Sequence, residues 1–128
     1  MPRMLVGMLL AALLLGCGRT DGSKEKYFGG ETVEHWLAGV KSPDPKARKK
    51  AADVLGNIGA VDARAVPALI EAVKDKDAKV RDAAVLALSK IGPPAAAAES
   101  VLMEATQDKD ATVRTHATTA LERVRGPK

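Results

Sequence analysis

The chain lacks most of what small proteins use to staple, anchor or activate a fold. Cys17 is its one cysteine, so no intrachain disulfide and no cysteine-built metal cluster can form. It holds one Trp, one Tyr and one Phe. A core must then be assembled from Ala, Val, Leu and Ile, which suits helices packed closely along small-residue faces. No charge sign dominates: 20 Lys and Arg stand against 16 Asp and Glu, for a formal net charge of +4. The signs alternate along the chain as on a solvated surface, so no nucleic-acid partner is expected. The apolar run over residues 4–15 is shorter than the ~20 residues a membrane-spanning helix needs. There is no Ser-His-Asp arrangement, no G-x-S-x-G and no phosphate-binding glycine loop. His35 and His116 have no convergent second ligand in view. Neither a catalytic group, a metal nor a cofactor is expected.

What the chain does have is a period. From Val33 to the C-terminus the sequence repeats every 33 residues without a gap. Arg48, Arg81 and Arg114 coincide, as do Asp44, Asp77 and Asp110, and Leu55, Leu88 and Leu121. Each unit reads as two helices and a turn. Val66, Leu69, Ile70 and Val73 fall at i, i+3, i+4 and i+7, one face of a first helix, and Val33, Trp36, Leu37 and Val40 repeat that face. Trp36 thus reads as core filling. Asp44, Asp77 and Asp110 stand where second helices need an N-cap, and Pro45 follows at a position where its missing N–H costs nothing. Gly59 and Gly92 fall where the first two second helices should end. Val80, Ala84, Ala87, Leu88 and Ile91 point inward. On one flank Lys50, Ala83 and His116 share a place, and on the other Ala52, Val85 and Thr118 do. Only the middle unit is apolar on both, the pattern of a stack with two sealed ends and three units.

The block from Asp75 to Gly92, with its D-x-D-x-x-V-R-x-x-A core, resembles HEAT repeats, and more narrowly the short HEAT-like repeats of phycobilisome lyases. The resemblance implies an all-α, right-handed solenoid of three helix–turn–helix units, about 31–62, 63–93 and 94–126, within a domain of residues 31–128. It also implies a ladder along the stack from turn Asp to second-helix Arg. Asp75 and Arg81 match those positions, as do Asp108 and Arg114. Unit one departs from the pattern, with Ser42 for the Asp and Ala47 for the Val, so the resemblance does not extend the ladder to it.

Ahead of the repeats, Arg3 and the amino terminus precede the apolar run, which ends at Leu14-Leu15-Gly16-Cys17. This resembles the lipobox of bacterial lipoproteins. It implies a cleaved signal peptide over residues 1–16, a lipid on Cys17 and export to the cell envelope. The alternatives are cleavage by an ordinary signal peptidase at the small residues Gly16 and Gly18, or a segment left uncleaved. Residues 17–30 read as the lipidated cysteine and a flexible polar tether. Tyr27 and Phe28 are its apolar pair, placed to touch lipid headgroups or to cover the open end of the first unit.

Scaffolds of this kind bind partners and rarely do chemistry. We expect a monomeric, non-catalytic module that engages a protein partner. Its outward strip on the second helices is Lys49, Asp53 and Gly56 in unit one, Asp82, Leu86 and Ser89 in unit two, and Thr115, Thr119 and Glu122 in unit three. Two other readings are open: an enzyme of the bilin-lyase kind, which the repeat resemblance alone suggests, and binding of anionic envelope polymers or nucleic acid through a basic corner at Lys46, Lys49 and Lys50. Mass spectrometry of the native protein should find a diacylglycerol adduct on a mature chain that begins at Cys17. An unmodified thiol, or a different first residue, overturns that expectation.

Overall fold

Three aspartates set the frame. The Asp44 carboxylate accepts the backbone N–H of Lys46 at 3.0 Å, Asp77 those of Lys79 and Val80, and Asp110 those of Thr112 and Val113. Each cap satisfies orphan donors of a helix start and faces its positive dipole end. The computed structural model describes residues 26–128. Cys17, the signal segment and most of the expected tether lie outside the described residues. The elements are β1 (Tyr27–Phe28), β2 (Glu31–Thr32), α1 (Val33–Gly39), α2 (Pro45–Ile58), α3 (Ala65–Ala72), α4 (Ala78–Ile91), a 3-10 segment (Pro93–Ala98), α5 (Glu99–Ala105) and α6 (Ala111–Arg125). The six α-helices form three antiparallel pairs, the all-α repeat architecture expected from the period. Among the described residues no helix is long and apolar enough to cross a membrane.

Second helices carry the stack. Helix α4 packs side by side with both α2 and α6, whereas α1, α3 and α5 barely meet one another. Closer spacing in the layer of second helices makes that layer the concave one. It also leaves a groove of about 370 Å³ between α1 and α3, floored by Leu37, Val40, Ala68 and Ala72. The flank pattern appears as burial. Ala52 and Val85 are fully buried under the following unit, while Thr118, which no described unit covers, is exposed. Ala83 is buried under the preceding unit and Lys50 is exposed. Leu55 and Leu88 are fully buried, but Leu121 is only half-buried.

Two features differ from the sequence reading. The end of the expected tether is not free: Tyr27–Phe28 pairs antiparallel with Glu31–Thr32 in a small hairpin that turns on Gly29 and Gly30, both at positive φ. Its Phe28 carbonyl accepts the Trp36 indole N–H at 2.7 Å, and the Phe28 ring packs on the core. Of the two placements for this pair, Phe28 covers the open end of unit one. Gly59 is the second difference. It ends α2 with an ordinary right-handed φ of −59°, unlike Gly92 and Gly126 at 72° and 75°. Space explains Gly59, because a Cβ there would lie 2.1 Å from Cδ1 of Ile91.

Leu88 is the centre of the one unit covered on both sides. Leu88→Ala is expected to destabilise by roughly 2–5 kcal/mol, a large share of a stability of about 5–15 kcal/mol. Denaturant titration would measure it, and a loss under about 1 kcal/mol would contradict the central placement.

Candidate functional site

Each second helix carries one arginine in its first turn, and its geometry recurs. Arg48 donates from Nη1 to the carbonyls of Ser42 and Pro43 in its own turn, at 2.9 and 3.1 Å. Its Nε and Nη2 grip both oxygens of Asp75 in the next unit, at 2.9 and 3.1 Å. Arg81 repeats this one unit on, with Nη1 on the Asp75 and Lys76 carbonyls and a two-point grip on Asp108 at 2.9 and 3.0 Å. Both arginines are nearly buried, at 5% and 6% exposure. The ladder therefore runs from the Arg of one unit to the Asp of the next. Unit one is fully part of it through Arg48. Ser42 stands in place of an Asp for which no preceding Arg is found among the described residues.

Burial of the Asp75 carboxyl works to raise its pKa, but the Arg48 guanidinium and the Asp77 backbone N–H outweigh it and hold the group below the usual carboxylate value. Asp108 is likewise lowered, against its burial, by Arg81 and the Asp110 backbone N–H. A carboxylate whose folded pKa is depressed stabilises the fold above its unfolded pKa of about 3.9, and loses that contribution as pH falls through the folded value.

The concave strip lies on the same three helices. Lys49 and Asp53 form a pair one turn apart on α2 at 3.1 Å. Leu86 is 45% exposed at the middle of α4. One turn to either side of it, Asp82 reaches His116 Nδ1 on α6 at 2.6 Å, and Lys90 reaches Asn57 on α2. The apolar side chain is thus framed by two polar links that tie α4 to both neighbours. Thr115, Thr119 and Glu122 are exposed on α6. A cleft of about 260 Å³ near the helix starts is lined by Lys49, Lys79, Asp82, Asp110 and Thr112. Lys46, Lys49 and Lys50 are all exposed, and the Lys50 ammonium lies 5.6 Å from the Trp36 ring centre.

Ser89 does not belong to this strip. It is 8% exposed, and its counterpart Gly56 is buried as well. Position 56 faces the next second helix so closely that a Cβ there would lie 2.9 Å from the Ala87 Cβ. The same register puts Ser89 against α6, while Glu122, which no described helix covers, is exposed. His116, Asn57 and Lys90 are the members that sequence reasoning did not assign to the strip. Their spacing of 33–34 residues from their partners was the available signal.

The profile of a family described as HEAT repeats matches residues 33–122. Comparison with curated proteins finds no match.

As pH falls below about 4, from the unfolded aspartate pKa toward the lowered folded values of Asp75 and Asp108, the chain should lose the stability these carboxylates contribute. The double substitution Asp75→Asn and Asp108→Asn should lower the melting temperature at pH 6 and leave it less dependent on pH below about 4. Melting curves across this range test it, and an unchanged pH slope would sink the assignment.

Proposed function

Since the chain belongs to the HEAT-repeat family, we propose that it is a non-catalytic protein-binding scaffold, held on the exported side of a bacterial membrane by a lipid on Cys17. The observation that carries the binding half is Leu86. An exposed leucine framed by the Asp82–His116 and Lys90–Asn57 links is a small apolar anchor with a satisfied polar rim, the arrangement from which interface hot spots are built. HEAT repeats commonly mediate protein–protein interaction, in keeping with this reading. The anchor rests on the Leu14-Leu15-Gly16-Cys17 motif and the preceding apolar run. One acyl chain holds a protein only marginally, so stable attachment calls for two or three. Among the described residues no side-chain constellation favours a bilin-lyase-like activity, and export would separate it from intracellular chromophore proteins.

A second reading has one observation of its own: Lys46, Lys49 and Lys50 are exposed together at the first unit. Anionic headgroups or envelope polymers would be held there electrostatically and released by salt.

With a partner captured from the native membrane, Leu86→Glu should weaken binding by about 1–3 kcal/mol through faster dissociation. Lys49→Glu should act mainly on association rate and salt dependence. If both variants fold and bind as the parent does, the concave strip is not the contact. Cys17→Ala should make detergent unnecessary for extraction.

A further inference from the structure

Among the described residues the third arginine of the ladder meets no carboxylate. Arg114 holds its own turn as the other two arginines do, with Nη1 on the carbonyls of Asp108 and Lys109 at 2.7 and 3.2 Å. This contact orients the guanidinium. Its Nε and Nη2, the atoms that grip Asp75 and Asp108 in the units before, find no carboxylate among the described residues, and the side chain is exposed. An arginine fork fixed in this way recognises a planar carboxylate by two parallel hydrogen bonds. Further along α6 Thr118 is exposed and Leu121 is half-buried, and on α5 Met103 is 51% exposed, at the register that Leu37 holds on α1.

We propose that this C-terminal end of the stack is a receptor for an acidic turn of a partner protein, with Arg114 as the group that takes its carboxylate. The proposal rests on the reading of the chain as a binding scaffold, but not on the concave strip. A second copy does not supply the carboxylate by stacking end to end. Its first turn carries Ser42 at that place, and its N-terminal end is covered by the Phe28 hairpin. Nor does a full repeat unit fit as the others do. Glu122 stands where Gly56 and Ser89 are buried against the next helix, so a full unit would bury its carboxylate, which reserves the surface for a smaller element at the turn end of α6. The ligand class is an Asp-x-Asp turn, the element that already fills the forks of Arg48 and Arg81.

The test is an NMR titration of the arginine Nε–H resonances of the full chain in detergent. The probe is a peptide with the sequence of residues 104–112, which carries the Asp108 turn. Arg114 should shift saturably at concentrations about tenfold below those that move exposed Arg123, while Arg48 and Arg81, already filled, stay still. The same peptide with Asp108→Asn should bind at least about fivefold more weakly, and Arg114→Lys, followed through the backbone amides of Thr118 and Leu121, should lose about tenfold although its charge is kept. Three results overturn the proposal: no shift at Arg114, Arg114 and Arg123 moving in parallel, or indifference to the Asn and Lys changes. Leu86→Glu should leave this titration unaltered. A failure here with partner binding still sensitive to Leu86 removes the end-face site alone. An intact titration with Leu86 silent removes the concave strip alone.

Discussion

No unit of this stack can bury its own apolar face, so the whole structure depends on contact between neighbouring second helices. Helix α4 is sandwiched by α2 and α6, and its Val85 and Leu88 are fully covered. Among the described residues the end helices α2 and α6 each meet one second-helix neighbour. Stability in such an array comes from intrinsic unit terms and nearest-neighbour terms, with no long-range contact to compensate a weak joint. Small residues make the joints tight. Gly56 lies against Ala87, and Ala51, Ala84 and Ala117 keep the paired helices close.

The arginine rungs act on the same joints in a different way. Each ties a second helix to the next unit's turn while also holding its own turn's carbonyls. Removing two charges from water offsets much of their mutual attraction. Their plainest effect is on register. A slip of one residue would leave a nearly buried guanidinium without its carboxylate, which is costly, whereas the aliphatic contacts beside it would change little.

Much of this was readable in the period. Caps at Asp44, Asp77 and Asp110, the buried face of α4 and the contrast between Lys50, Ala83, Ala52 and Thr118 all follow from residue spacing, because they concern one helix and its nearest neighbour. What was hidden depends on distances between units. The direction of the rungs could not be read from position, since Asp75 is as periodic with Arg81 as with Arg48. Ser89 looks outward on a helical wheel and is covered because the helices come unusually close. Gly59 looked like a turn residue and is a packing residue. The hairpin over Trp36 has no counterpart elsewhere in the chain, so repetition could not announce it. Of the candidate surface, Leu86 and its charged neighbours were legible, but the cross-helix links that frame it were not.

The indole that meets the Phe28 carbonyl is the only one in the chain. Trp36 sits at one extremity, under the hairpin, with the Lys50 ammonium beside its ring. Its emission is therefore a local gauge. It reads the wear of the first unit and is blind to fraying of α5 and α6 at the far end. Circular dichroism averages over every helix, so the two signals weigh the ends of the molecule differently. Where they part company during heating, the gap between the curves marks how far this short array departs from all-or-none unfolding, and which end gives way first.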